Sequence, residues 1–247
     1  MIGTMGGVTL LAAAGSAFNQ LQERDLDLLM ARTRHRPLPN GDLTPYAAAM
    51  VGALCLLSGL LMIYASGGLL PGLLALMALV WYLGLYTPLK RRTSFALAAG
   101  GVCGAIPPVI GWCSAGGTPT DFRIMMLAGL LYLWQIPHFW LFQRRHATDY
   151  RRAGIPLFES WPGVAGPGAL CRLWMAALGI GSLLLPAFGV VAQPVAPWCA
   201  VIPLGLGILS LSRSESTLFN GINLFPLLVT LISAAQKLTP LFSPAFR

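Results

Sequence analysis

The spacing of its charges limits how this chain can fold more than any other feature. No Asp, Glu, Lys or Arg occurs from Met1 to Gln22, Thr44 to Leu89, Thr93 to Thr120, Ile124 to Gln143, Leu173 to Ser212 or Thr217 to Gln236. A helical crossing of a bilayer takes about 20 mostly apolar residues. Each gap therefore holds one crossing, and the two longest hold two each, divided at Ser66, Gly67 and Gly68 and at Gln193, Pro194 and Pro197. An all-α, polytopic membrane bundle of about eight transmembrane helices follows, with residues 1–247 as a single membrane-embedded domain. Composition agrees, with 56% hydrophobic and 10% charged residues and a mean hydropathy of +0.70, more apolar surface than one soluble core could bury. A β-barrel would need short segments alternating apolar and polar residues, and runs such as GLLALMALVWYLGL do not alternate.

The loops carry the orientation. Those after the first, third, fifth and seventh crossings hold Arg24, Arg32, Arg34 and Arg36; Lys90, Arg91 and Arg92; Arg144, Arg145, Arg151 and Arg152; and Arg213, twelve of the sixteen basic residues. The positive-inside rule puts these loops in the cytoplasm and both termini outside. The net charge of +8 is thus first a topology signal, and without interleaved aromatic residues it does not point to nucleic acid. The five cysteines form no CxxC pair and are odd in number, which suits packing residues better than a disulfide or zinc framework. Met1 to Phe18 has the AAAGSA look of a secretory signal but no basic segment before it, so it reads as a crossing.

Two polar clusters break the apolar pattern. In NQLQERDLDLLMARTRHRPLP, Asn19, Glu23 and Asp27 are spaced i, i+4, i+8 and share one face of a continuous helix. Two carboxylates and an amide oxygen suit magnesium, which keeps several waters and bridges protein carboxylates to substrate phosphates. Arg32 and Arg36 repeat the i, i+4 helical spacing just beyond, and with Lys90 and Arg91 on the same membrane side they supply charge for phosphate oxygens. The plainer alternative is that Glu23, Asp25 and Asp27 pair with Arg24 and its neighbours at a solvated helix end.

The second cluster lies in LYLWQIPHFWLFQRRHATDYRRAGIP, where His138 is the only histidine inside a charge-free span and follows Pro137. An intramembrane ionisable group is a site candidate by default. His138 could ligate iron, donate to a carboxylate or carbonyl, or be a buried imidazole bonded to a neighbouring helix. If the helix continues, three turns carry one stripe from His138 through Phe142 and His146 to Asp149. His146, among arginines, reads as a solvated loop residue; Asp149 shares a membrane side with Glu23 and Asp27.

Together NQLQERDLDLLMARTRHRPLP, YTPLKRRT, GAIPPVIGW, PHFW and DYRRAGIP resemble the haem O synthases (protohaem IX farnesyltransferases), a branch of the UbiA-type intramembrane prenyltransferases. The resemblance spans about Ala12 to Phe158. The first family motif stands here as Asn19, Gln20, Glu23 and Asp27. In place of the aspartates of quinone-pathway relatives, the second has His138, Phe139, Trp140, Asp149 and Tyr150, which favours haem as acceptor. Two departures stand out. Glu23 replaces the usual Asp, and the chain begins where the family's second helix would, so the first of the usual nine helices is missing.

The resemblance implies transfer of a farnesyl group from farnesyl diphosphate to a vinyl group of haem B, forming haem O and releasing diphosphate. It implies magnesium on Asn19, Glu23 and Asp27 and, as a second position, on Asp149. The diphosphate would meet Arg32, Arg36, Lys90 and Arg91, Tyr150 would support the second motif, and His138 would bind the haem, a substrate here. It also implies a bacterial-type cytoplasmic (inner) membrane with the site facing the cytoplasm, and a downstream haem A synthase or terminal oxidase assembly as partner. Other readings are a UbiA-type enzyme with a quinone-precursor or chlorophyll-type acceptor, an inactive paralogue, and a transporter with broken helices.

Overall fold

Chemistry at its ends explains where the second long helix begins and stops. The computed structural model describes residues 1–158, 169–212 and 214–242, with helices and turns but no strand among them. After α1 (Ile2–Gln22) come two short helices, α2 (Arg24–Leu29) and α3 (Pro37–Asn40), then α4 (Pro45–Gly67). Thr44 starts α4 by accepting a hydrogen bond from the Ala47 N–H at 3.2 Å, with Pro45 in the first turn, where a missing N–H costs nothing. Gly68 ends it at φ +83°, a conformation suited to glycine, and α5 (Leu69–Val80) follows. A π-helical segment, Trp81–Tyr86, then leads into α6 (Thr87–Leu89), and α7 spans Ala96–Ser114. Beyond these lie α8 (Phe122–Arg145), α9 (Ala147–Arg152), α10 (Ala169–Ser182), α11 (Leu184–Ala187), α12 (Val201–Ser210), α13 (Glu215–Ile222) and α14 (Leu224–Phe242).

Five helical runs are long and apolar enough to cross a membrane: Pro45–Gly67, Leu69–Leu89, Ala96–Ser114, Phe122–Arg145 and Glu215–Gln236. With α1 and the shorter apolar runs Cys171–Ala187 and Ala196–Ser210 they make eight segments among the described residues, matching the expected number. Leu54, Leu57, Leu61, Leu73 and Met77 are exposed on them, as lipid-facing residues are. Arg213, counted above among the basic loops, lies outside the described residues.

The chain divides into two compact units, Met1–Ala128 with His146–Phe158, and Gly129–Arg145 with Glu159–Arg247. In the first, α1 packs closely on α4. A Cβ at Gly7 would meet the Gly59 carbonyl oxygen at 2.8 Å, and one at Gly59 would meet that of Gly7 at 2.9 Å. Small residues let membrane helices approach so that van der Waals contact replaces the absent hydrophobic drive. In the second unit α10 packs on α12, and a Cβ at Gly179 would lie 3.2 Å from Pro203 Cα.

Three expected continuities are broken. α1 stops at Gln22 with Glu23 in a turn, residues 31–35 form turns instead of a helix, and α8 stops at Arg145 with His146 (φ −111°) before α9 begins. No single helical stripe therefore joins His138 to Asp149, and the Arg32–Arg36 spacing is not helical. Each break lies beside charged groups, which are stabilised by partners that straight helices would not bring within reach.

Candidate functional site

Asn19 sits in the last turn of α1 and Glu23 in the turn after it, both buried at 7% and 3% exposure. The Asn19 amide Nδ2 donates to Glu23 Oε2 at 3.1 Å, and Lys90 Nζ meets the same oxygen at 2.5 Å. The Thr87 hydroxyl lies 3.1 Å from Asn19 Oδ1 and 2.9 Å from the Tyr82 carbonyl oxygen. Glu23 Oε1 is buried and has no hydrogen-bond partner among the described residues. Such an atom is costly to leave bare.

Asp27, in α2, is 1% exposed, and its Oδ2 accepts from Arg36 Nη1 at 2.9 Å. The solvated-helix-end alternative fails for Glu23 and Asp27, since both are buried. It holds for exposed Asp25, whose two oxygens each accept from Arg91 at 3.0 Å. That guanidinium draws the Asp25 carboxyl below its ordinary range. The Arg91 side chain also donates to the Gln22 carbonyl oxygen.

The turn from Met30 to Arg36 is held from a distance in sequence. Asp149 Oδ1 accepts from the Ala31 N–H at 3.0 Å and Oδ2 from the Arg32 N–H at 3.1 Å. These backbone donors pull the Asp149 carboxyl below its ordinary value. The neighbouring Tyr150 packs on Leu26, Met30, Ala153 and Ile155, and burial pushes its phenol upward. Arg32 itself is exposed on this turn.

An apolar cavity of about 280 Å³ lies against the same helix. Its α1 wall is Val8, Leu11, Ala12, Gly15 and Ser16, at spacings of three and four that continue directly to Asn19 and Glu23. Ala75, Ala78, Leu79 and Tyr82 form the second wall, and Cys103, Pro107 and Ile110 of α7 the third. The π-helical turn places Tyr82 both on this cavity and, through its carbonyl, beside Thr87. Such wide turns recur at functional positions.

In the second unit, His138 Nδ1 and Asn223 Oδ1 are 2.7 Å apart. The imidazole stacks with Trp134, at 4.8 Å between centroids, and with Phe219, at 5.4 Å, and meets Phe139 edge-on at 5.3 Å. The Asn223 contact ties α8 to the turn between α13 and α14. Arg144 pairs nearby with Glu215, Nη2 to Oε1 at 2.6 Å.

Residues 1–217 match the model of the UbiA prenyltransferase family. The chain belongs to this family. A protoheme IX farnesyltransferase of Geobacter sulfurreducens is 60% identical over 227 residues, covering 92% of this chain and 84% of the relative. One from Oleidesulfovibrio alaskensis is 40% identical over 247 residues, covering 96% and 85%. The apo structure of a UbiA homologue from Aeropyrum pernix K1 shares the fold, with a TM-score of 0.74 at 21% identity over 97% of this chain and 89% of that one. The protein is thus an integral membrane prenyltransferase.

For a UbiA prenyltransferase the donor set is apt. No group of three or more His, Cys, Asp or Glu side chains gathers among the described residues, so an all-protein metal cage is not built. Two buried carboxylates, one with a bare oxygen, fit magnesium shared with a diphosphate. Thr87, Tyr82 and Asn223 were not singled out from the sequence. Thr87 lay inside the YTPLKRRT run, but Asn223 had no motif to mark it.

Proposed function

We infer that this UbiA prenyltransferase moves a farnesyl group from farnesyl diphosphate to a vinyl group of haem B, forming haem O. One observation carries the choice of donor. A single face of α1 presents an apolar cavity from Val8 to Ser16 and, within the next two turns, the buried Asn19 and Glu23 with Lys90 beside them. A molecule with an apolar isoprenoid tail and a diphosphate head matches that order. The choice of farnesyl and haem rests on the likeness to the two protoheme IX farnesyltransferases.

In this reading Asn19, Glu23 and Asp27 would hold magnesium at the diphosphate end, and the unpartnered Glu23 Oε1 fits that use. When bound, the metal supplies Lewis-acid stabilisation of the departing diphosphate. Lys90 and Arg36, which pair with Glu23 and Asp27 here, would serve the phosphate oxygens of the diphosphate, with Arg32 and Arg91 adding field at the rim. Asp149 and Tyr150 keep the Met30–Arg36 turn in place, so Asp149 acts as a positioning residue. The farnesyl C1–O bond breaks and diphosphate leaves with the electron pair. The haem vinyl carbon bonds to C1, and the resulting cation takes a hydroxyl from water, which releases a proton. Apolar walls at Leu11, Leu79 and Ile110 delay capture of the farnesyl cation by water. His138 orients the haem. The site faces the cytoplasm of a bacterial inner membrane, and a haem A synthase or terminal oxidase assembly takes the product.

Expression in a membrane host lacking haem O synthase, with extracted haems separated and weighed by mass spectrometry, tests this. Haem O is the expected product. A prenylated phenol in its place, or no prenylated haem with the protein present in the membrane, overturns the reading.

A further inference from the structure

We propose that Asn223 is a positioning residue that fixes His138 with Nε2 presented as an axial ligand to the iron of the haem substrate; this rests on the function inferred above. The case begins with the surroundings. His138 lies in a stretch free of charge from Ile124 to Gln143, so no carboxylate or cation on its own helix there sets its state. Its Nδ1 meets Asn223 Oδ1 at 2.7 Å. An amide oxygen only accepts, so Nδ1 carries the proton and donates, and the lone pair is left on Nε2. Among the described residues nothing is hydrogen-bonded to Nε2.

The ring is also held in plane. Trp134 and Phe219 stack on it at interplanar angles of 27° and 25°. Trp134 is itself fixed, its Nε1–H donating to the Ile222 carbonyl oxygen at 2.8 Å. Asn223 stands at the break between α13 and α14, which puts its side chain opposite a residue 85 positions earlier. A neutral imidazole with one nitrogen tied to an acceptor, its plane clamped and its other lone pair unused is the arrangement of a metal-binding histidine. Iron in a tetrapyrrole is the metal that an imidazole meets in this enzyme.

The test is a titration of the purified full chain with ferric haem B, followed by absorption and electron paramagnetic resonance. Wild-type protein gives a histidine-ligated haem spectrum. His138→Ala loses that signature, binds haem at least about tenfold more weakly, and regains the spectrum on addition of free imidazole. Asn223→Leu weakens binding by about 10- to 100-fold, the usual effect of removing an outer-shell partner. Asn223→Asp, which can only accept, retains the spectrum. Farnesyl diphosphate binding, unchanged in all variants, reports an intact fold; if Asn223→Leu loses it, the imidazole rescue and Asn223→Asp carry the test. A His138→Ala protein with wild-type spectrum and affinity overturns the axial role while haem O formation by the wild type preserves the function. Wild-type protein that neither binds haem nor makes haem O overturns both.

Discussion

Around Glu23 and Asp27, burial of charge is met by more charge: Lys90 stands on one carboxylate and Arg36 on the other, with side-chain exposures of 4% and 1% for the two acids. Around His138 the contacts among the described residues are an amide and three aromatic rings, Trp134 and Phe219 stacked on it and Phe139 edge-on. The first arrangement is expensive to disturb, because removing one partner leaves an ion that the surroundings cannot solvate. The second is modest in energy and strict in geometry, since stacking and one hydrogen bond fix a direction more than they stabilise a charge. The first arrangement suits a charged substrate, and the second a polarisable, largely apolar ring system.

That contrast can be broken at several points. The largest effect is expected at Asp27. Asp27→Ala should lower haem O formation by roughly 10²-fold or more, the scale seen when transition-state charge loses a stabilising group, while the protein remains in the membrane. Turnover is measured per inserted molecule, and wild-type turnover would remove Asp27 from the diphosphate site. Next, Lys90→Met should destabilise the fold by about 3 kcal/mol, because Glu23 is left buried with Asn19 alone. Thermal unfolding in detergent of Lys90→Met, Glu23→Gln and the double variant measures the coupling. A double variant no more stable than Lys90→Met would show that the pair is not what matters.

Asp149 sharpens the comparison at lower cost. Asp149→Asn should lose about 1–2 kcal/mol, since one acceptor for the Ala31 and Arg32 amides becomes a donor. Because its carboxyl is depressed in the folded protein, the wild-type advantage over Asp149→Asn is fully present above the ordinary carboxylate range. It is lost only as pH falls through the lower folded value. Unfolding curves for both proteins from neutral to acid pH check this, and an advantage that disappears already near neutrality would contradict the clasp. The smallest effect is expected at Glu215. Its partner Arg144 is 26% exposed and Glu215 itself 31%, so Glu215→Gln should cost under about 1 kcal/mol. A larger loss in the same unfolding assay would give the second unit a charged centre after all.

The spans are legible in the chain alone. Charges are excluded from hydrocarbon so strongly that their gaps mark the crossings directly, and the eight apolar segments appear where those gaps lie. The sequence also brought forward Asn19 and Glu23, whose spacing of four keeps them in contact even where α1 ends at Gln22. Only the tertiary structure decided what these groups touch. Thr87 reaches Asn19 across 68 residues, His138 reaches Asn223 across 85, and Asp149 holds the Ala31 amide across 118. Helical periodicity records neighbours within a few turns. Partners on different helices are chosen by packing and by the need to satisfy every buried polar atom, and such pairings leave no periodic trace along the chain.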